Sequence, residues 1–167
     1  MQSEINLFNF YNEQSMAELN LPAYPAKITI KDGKRNIFDP LRRKYVALTP
    51  EEWVRQHFIN FLITHKGYPG TLLGNEIAIS LNGTSKRCDS ILFDRQGQPL
   101  MIMEYKAPSV KITSKVFDQI ARYNIVLKVR FLIVTNGMEH YCCKVDYQNN
   151  RCVFLQDIPH YEELNHL

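Results

Sequence analysis

The clearest pattern of hydrophobic and polar residues lies after residue 48 and predicts a helix. Thr49, Pro50 and Glu52 suit an N-cap, the first helical position and a capping box. Apolar residues then recur every three or four positions, and the helix is expected to run to about His65 and stop before Gly67. Its buried stripe comprises Val54, Phe58, Phe61 and Leu62.

Three runs with strand-like composition follow this helix at short intervals. They cover residues 71–80, 86–93 and 99–106. The first two runs are separated by Asn82 and Gly83, and the last two by the polar segment 94–98, both of which are typical of tight turns. Short turns between successive strands favour an antiparallel meander.

A second helix is predicted from Thr113 to about Leu127. Its apolar face is expected to carry Val116, Ile120, Tyr123 and Leu127. Further strands are predicted at 130–135, 139–146 and 152–155. The order of helix, three strands, helix and strand, with strands appended at the end, predicts an α/β (α+β) domain built on a mixed sheet.

The N-terminal part of the chain has a different pattern. Residues 1–26 are interpreted as an N-terminal arm. A short helix is predicted over 9–19, and the two prolines shortly after it disfavour further regular structure. Runs at 27–30 and 35–38, joined through a turn at Asp32 and Gly33, predict a β-hairpin. The chain from 27 to 167 is expected to form a single domain with its core at about 49–136.

Candidate chemistry is concentrated at the end of the third strand of the meander. That strand is apolar on both faces, which predicts a covered central strand, yet Glu104 and Lys106 share one face at its C-terminal end. A Glu-x-Lys triplet alone is weak, and a salt bridge at the strand end explains it equally well. Asp89 in the preceding strand strengthens the case, because the antiparallel pairing would bring it close to Glu104.

Two converging carboxylates beside an ammonium group suit the hydrolysis of phosphodiesters. Oxygen atoms from Asp89, Glu104 and the backbone carbonyl of Tyr105 are ligands that Mg²⁺ or Mn²⁺ prefers. Lys106 could orient a water molecule or stabilise the negative charge that develops during attack. The residues themselves therefore predict a magnesium or manganese site with a catalytic lysine.

Together with the order of elements, Asp89 and Glu104-Tyr105-Lys106 resemble the PD-(D/E)xK nuclease superfamily. Segments 37–40, 48–55 and 135–137 further resemble the N-terminal nuclease domain of type I restriction enzyme motor (R) subunits. The resemblance implies a restriction-endonuclease-like core, Asp89 and Glu104 as metal ligands, and Lys106 as the catalytic lysine. It also implies that Glu76, which matches an acidic residue of the first strand, is a further metal ligand. Gln119, which with Tyr123 fits a Q-x-x-x-Y motif, is implied to be a catalytic residue that reaches the site or a DNA strand.

Two departures from that family limit what the resemblance implies. Cys88 stands before Asp89 where the motif usually has proline, which should change the bend of the strand more than the chemistry. The chain contains no G-x-x-x-x-G-K-[ST] loop, so it carries no ATP-driven motor of its own. Any part in restriction, defence or repair would need partners supplied in trans, and a homodimer is left open.

Charge changes the picture only when it is divided by position. The whole chain is 45% hydrophobic with a net charge of +3, which fits one globular domain and does not itself indicate nucleic acid. Residues 27–50 carry seven Lys or Arg against two Asp, and residues 106–130 carry six against one, so each segment has a net charge of +5. We expect these segments to contact the phosphates of DNA, most simply a duplex. The candidate contacts are Arg42, Arg43, Lys86, Arg87, Lys111, Lys115, Arg122 and Tyr123.

Two other readings compete with a nuclease. One is a nucleic-acid-binding or assembly module of the same fold with little or no turnover, and the other is a purely structural domain. Four cysteines without C-x-x-C spacing are expected to be buried thiols, and Trp53 is expected to pack rather than to stack on bases. Because no stretch approaches the roughly 20 apolar residues of a membrane span, a cytoplasmic location is expected.

Overall fold

The structure is a computed structural model that describes residues 16–81, 83–125 and 127–167. Within these ranges the description omits the side chains of Leu81, Thr84, Lys86, Arg122, Tyr123 and Ile125. The described part of the chain contains two β-sheets and two α-helices. Of the predicted helix over 9–19, residues 9–15 lie outside the described residues, and residues 16–19 are not helical.

A small antiparallel sheet comes first in the chain. It consists of β1 (Ile28–Lys31), β2 (Lys34–Asp39) and β3 (Lys44–Ala47), in that spatial order. The predicted hairpin is confirmed, with its turn at Asp32 and Gly33, both of which have positive φ. The third strand was not predicted, because four residues between a basic turn and a helix cap carry too little alternation to be recognised.

The larger sheet has six strands in the order β4-β5-β6-β7-β8-β9. Its strands are β4 (Leu73–Leu81), β5 (Thr84–Phe93), β6 (Pro99–Tyr105), β7 (Phe131–Thr135), β8 (His140–Asp146) and β9 (Arg151–Phe154). Strands β6 and β7 are parallel and all other neighbours are antiparallel. The helices are α1 (Pro50–Lys66) and α2 (Ser114–Ile125), and α2 forms the crossover that a parallel pair requires. The mixed α+β fold predicted from sequence is confirmed.

Helix α1 begins and ends where its sequence predicts. The Thr49 hydroxyl accepts a hydrogen bond from the Glu52 backbone N–H at 3.0 Å, and Gly67 closes the helix at φ 73°, a conformation that glycine adopts without strain. The capping box is only half formed, because the Thr49 backbone N–H donates to Ala47 rather than to Glu52. The Glu52 side chain instead joins a buried ion network described below.

The two helices cover opposite faces of the large sheet. Alternate residues of β6 show this, since Met103 packs with Phe58 of α1 while Ile102 packs with Phe117 of α2. The neighbours Cys142 and Cys143 divide in the same way, and all four cysteines are free thiols, as expected. Strand β6 is therefore the covered central strand that its sequence predicts.

Helix α2 presents a different face to the core from the one predicted. Phe117 and Ala121 are buried, at 3% and 5% exposure, whereas Val116 and Ile120 are only half-buried. The predicted stripe is confirmed in part, because Ile120 and Leu127 pack against the cluster beneath α2, but the most deeply buried positions lie one residue further along, at Phe117 and Ala121. The side chain of Tyr123, which was also predicted to belong to the stripe, is not among those that the structure describes.

Residues 16–26 run along α1 as an irregular segment. The Trp53 indole N–H donates to the Ala17 carbonyl at 3.0 Å, and the Asn20 backbone N–H donates to the Gly137 carbonyl at 2.8 Å. Trp53 is 7% exposed, so it packs against this segment as expected. Within the described part of the chain, neither helix is long and apolar enough to cross a bilayer.

Candidate functional site

Three acidic residues lie in one row across the first three strands of the large sheet. The ladder pairs Asn75 with Ser90 and Ile77 with Cys88, so Glu76 on β4 lies across from Asp89 on β5. The next ladder pairs Ser90 with Met103, which places Asp89 across from Glu104 on β6. Strand pairing therefore places these three residues at neighbouring positions on adjacent strands.

The backbone is irregular at this row. Glu76 has a φ of 54°, which is uncommon for a residue with a side chain, and the ladder skips it. Asn75 points to the Ser90 side chain, whereas Ile77, two residues later, packs in the cluster beneath α2. The strand therefore changes its facing at Glu76, which turns this carboxylate toward Asp89 and α1.

Asp89 is held in place by the neighbouring strand. Its Oδ2 accepts a hydrogen bond from the Tyr105 backbone N–H at 3.0 Å, while its Oδ1 lies 3.7 Å from Nη2 of Arg55. The side chain is 30% exposed, so one carboxylate oxygen is oriented and the carboxylate remains accessible from solvent.

Arg55 of α1 lies at the centre of these carboxylates, although sequence analysis did not single it out. It is 4% exposed, donates from Nη1 to Glu52 at 2.9 Å, and donates from Nη2 to Glu76 at 2.6 Å. Its guanidinium lies 5.5 Å from the centre of the Tyr105 ring. Burial alone would lower the pKa of Arg55, but its interactions with Glu52, Tyr105 and Glu76 outweigh burial and raise it. The guanidinium is therefore a permanent positive charge beside the acidic row.

Glu52 connects Arg55 to the small sheet. Its Oε1 accepts from Arg42 at 2.7 Å and from Gln56 at 2.8 Å, and Arg42 also forms an ion pair with Asp39. Asp39 is fully buried. Burial alone would raise its pKa, but hydrogen bonds from Asn75 and Arg42 more than compensate, so the pKa lies below its usual value.

A second path joins Asp39 to the same place through hydrogen bonds between β-strands. The Asn75 amide donates to Asp39 at 2.9 Å, Ser90 donates to Asn75 at 2.5 Å, and the Tyr105 hydroxyl donates to Ser90 at 3.0 Å. Burial raises the pKa of Tyr105, so its hydroxyl keeps the proton that it donates. Tyr105 therefore contacts the network at both ends, through its hydroxyl to Ser90 and through its backbone N–H to Asp89.

The other predicted site residues divide into those near the row and those away from it. Lys106 directly follows β6 and is half-buried, and its backbone N–H donates to Thr135 at 2.9 Å. Arg87 is 72% exposed and pairs with Oε2 of Glu76 at 3.0 Å. Gln119 is exposed on α2, and its side chain forms no hydrogen bond with any described residue.

The predicted nucleic-acid contacts also divide by exposure. Arg43, Lys111 and Lys115 are exposed. Arg42 is committed to Asp39 and Glu52 with only 18% of its side chain exposed, so it belongs to the internal network and not to a solvent-facing surface. The side chains of Lys86, Arg122 and Tyr123 lie outside the description.

The donor chemistry of the row suits a hard divalent cation, but only through part of the predicted ligand set. No group of three His, Cys, Asp or Glu side chains in the described ranges is close enough to hold a metal ion. Both oxygens of Glu76 are engaged by arginines, whereas Oδ1 of Asp89 accepts no hydrogen bond from a described residue. Asp89, Glu104 and the Tyr105 carbonyl supply only oxygen atoms, as Mg²⁺ and Mn²⁺ prefer.

The chain was also compared with known proteins. A family model described as the type I restriction enzyme R protein N terminus (HSDR_N) matches residues 50–159. Among solved structures, the chain is similar to a fragment of a putative HsdR subunit of a type I restriction enzyme from Vibrio vulnificus YJ016. The TM-score is 0.52 at 20% sequence identity, which shows likeness of fold. That match covers 71% of this chain and 25% of the other, so this chain spans about a quarter of that relative. No curated protein matches significantly.

Proposed function

Because the chain belongs to the family of type I restriction enzyme R protein N termini, we propose that it is a divalent-metal-dependent nuclease domain that hydrolyses DNA. Its expected substrate is double-stranded DNA, met together with partners of a restriction or defence system. One observation carries the proposal: Asp89 and Glu104 lie opposite each other on paired strands, and Lys106 follows two residues after Glu104.

The proposed roles follow from this placement. Asp89, Glu104 and the Tyr105 carbonyl would hold Mg²⁺ or Mn²⁺. A cation there would polarise a phosphoryl oxygen and lower the pKa of a bound water. The Tyr105 backbone N–H keeps the Asp89 carboxylate in one orientation, which reduces the cost of arranging it when the ligand arrives.

Lys106 supports the chemical step from the strand end. In hydrolysis, the water oxygen bonds to phosphorus, the bond from phosphorus to the leaving strand breaks, and the leaving oxygen takes up a proton. Negative charge grows on the phosphoryl oxygens during this exchange, and an ammonium group fixed nearby lowers its energy. The Lys106 backbone is hydrogen-bonded to β7, which fixes the point from which its side chain extends.

Cleavage of a supercoiled plasmid in Mg²⁺ or Mn²⁺ tests the proposal. We expect Asp89→Asn and Lys106→Met each to reduce the cleavage rate by about 100-fold or more, since each removes a group that acts on the transition state. Glu139→Gln is the matched control, because Glu139 is an exposed carboxylate outside the row. Thermal melting verifies that each variant folds. Wild-type rates in folded Asp89→Asn and Lys106→Met would contradict the proposal.

A binding module without turnover is the second candidate, and one observation favours it. Both Glu76 oxygens are occupied by Arg55 and Arg87, which removes one carboxylate from any ready-made metal site. This alternative predicts salt-dependent DNA binding but no cleavage with Mg²⁺ or Mn²⁺. It also predicts no heat of Mn²⁺ binding that depends on Asp89, whereas the nuclease proposal predicts that Asp89→Asn weakens Mn²⁺ binding.

A further inference from the structure

The small sheet has an inward face and an outward face with different chemistry. Ile37 and Asp39 of β2 point inward and are both fully buried, at 0% exposure. Their neighbours along β2 point outward, as do the residues paired with those neighbours on β1 and β3. The outward face contains Lys27, Lys31, Lys34, Asn36, Phe38 and Tyr45.

The charge on the outward face is of one sign. Lys27, Lys31 and Lys34 are all exposed, and the strand positions of this face carry no acidic residue, although the exposed Asp32 lies in the turn between Lys31 and Lys34. Lys31 and Lys34 are paired across β1 and β2, and neither forms an ion pair with a described residue. Like charges placed opposite each other destabilise a sheet, so an anionic partner would relieve this repulsion.

Two aromatic side chains lie beside these lysines. Tyr45 is 49% exposed, and its ring centre is 5.3 Å from that of Phe38 in an edge-to-face arrangement. The ammonium group of Lys27 lies 5.7 Å from the centre of the Phe38 ring. Phe38 therefore supports Tyr45 and Lys27 from within the sheet, and Tyr45 keeps a ring surface open to solvent.

We propose that this outward face binds an unpaired segment of nucleic acid, with phosphates at the three lysines and a base stacked on Tyr45. Lysines supply a sequence-independent attraction to the backbone, and exposed aromatic rings stack on bases that are not enclosed in a duplex. The face lies before residue 50, outside the segment matched by the family model. Only the choice of DNA as the nucleic acid rests on the proposed function.

The face is fixed relative to the acidic row by buried contacts. Asp39 of β2 accepts from Asn75 of β4 at 2.9 Å, and Arg42 in the turn before β3 donates to Glu52 of α1 at 2.7 Å. A strand held on the outward face would therefore have a defined position relative to Asp89 and Glu104.

The test is fluorescence anisotropy with a labelled oligo-dT of about 15 nucleotides, a length in the range that one small domain covers. Measurements in EDTA on the Asp89→Asn background prevent cleavage and keep the test independent of it. The triple change Lys27→Ala, Lys31→Ala and Lys34→Ala should weaken binding at least about 10-fold at low salt. It should also lower the salt slope by about 2, as expected for three lost phosphate contacts on single strands.

Variants at Tyr45 distinguish base stacking from the attraction between lysines and phosphates. Tyr45→Ala should weaken oligo-dT binding by about 5- to 100-fold with an unchanged salt slope, whereas Tyr45→Phe should bind as wild type does. A duplex of matched length should be much less sensitive to Tyr45→Ala. Arg95→Ala is the control, because Arg95 is an exposed cation in the turn between β5 and β6.

Three results would overturn the proposal. They are wild-type affinity in the triple lysine variant, equal affinities for Tyr45→Ala and Tyr45→Phe, and equal loss on duplex and oligo-dT in Tyr45→Ala. Thermal melting of each variant ensures that folded proteins are compared. If the protein binds oligo-dT through Tyr45 but cleaves no DNA, the nuclease proposal fails and this proposal stands. If it cleaves DNA but its oligo-dT binding does not depend on Tyr45 or the three lysines, this proposal fails and the nuclease proposal stands.

Discussion

The two helices on the large sheet differ in what they do with charge. Helix α1 buries Glu52, Arg55 and Gln56, at 8%, 4% and 1% exposure. Helix α2 buries Phe117 and Ala121 against an apolar cluster and exposes its described charged residues Lys115 and Asp118. The same sheet therefore has an ion network under one helix and, apart from the buried Asn124, an apolar interface under the other.

This difference indicates where the chemistry is organised. A buried charge is tolerated only when partners compensate for lost hydration, and the partners of Arg55 include two members of the acidic row, Glu76 and Asp89. Packing of α1 therefore restrains the carboxylates of the candidate site. Lys115 of α2 is exposed and is suited to contacts with a ligand outside the domain.

The largest expected effect comes from breaking the α1 network at its centre. Arg55→Met should lower the free energy of unfolding by about 3 kcal/mol, because the buried Glu52 loses one of its two arginine partners and the partly exposed Glu76 and Asp89 lose Arg55. Lys115→Met on α2 makes the same chemical change at an exposed site and should stay within about 0.5 kcal/mol of wild type. Urea denaturation followed by circular dichroism measures both. Equal losses in the two variants would show that the helices do not differ as described.

A charge-conserving change tests positioning instead of stability. Arg55→Lys keeps the positive charge but cannot reach Glu52, Glu76 and Asp89 with one planar group. We expect Mn²⁺ affinity to fall by about 10- to 100-fold, as for other residues that orient metal ligands. Calorimetric titration of Mn²⁺ into wild type, Arg55→Lys and Lys115→Arg measures this. Unchanged affinity in a folded Arg55→Lys protein would leave Arg55 a structural role only.

Much of the architecture could be predicted because it depends on local patterns. The cap at Thr49, the stop at Gly67 and the turns of the meander are each specified within a few residues, and the structure has them. Alternation along β6 likewise predicted that its side chains divide between two covered faces. The opposition of Asp89 and Glu104 follows from one short turn between neighbouring strands.

Arg55 could not be assigned in the same way. On a helix, Glu52 and Arg55 one turn apart are usually a solvent-exposed ion pair, and capping already explained Glu52. Their burial depends on Asn75 and Glu76, which arrive from β4 through contacts distant in sequence. One signal was present: polar residues at 52, 55 and 56 follow the helical period directly beside the apolar stripe.

A smaller effect is expected on the α2 side. The Gln119 side chain is exposed and forms no hydrogen bond with any described residue, so its proposed role would be exercised on bound DNA. Gln119→Ala should raise the KM for plasmid cleavage a few-fold and leave kcat nearly unchanged, the signature of lost uniform binding. Lys106→Met should instead lower kcat. A large fall in kcat for Gln119→Ala would place α2 in the chemical step and break the contrast between the helices.

The smallest expected effect is a pH dependence of the free energy of unfolding. Of the two helices, only α1 can contribute to it through histidine, because α2 contains none. His57 is 7% exposed with Nδ1 2.9 Å from the Trp53 carbonyl oxygen, and burial lowers its pKa. As the pH falls through about 6.5, the unfolded chain takes up this proton before the folded chain, so the free energy of unfolding decreases.

His57→Phe keeps ring packing against Trp53 and should flatten the decrease between pH 7 and 5, while exposed His65→Phe should not. A residual slope is expected from His140, whose pKa burial also lowers. If the free energy of unfolding of His57→Phe falls with pH as steeply as that of the wild type, His57 does not contribute to the pH dependence of stability.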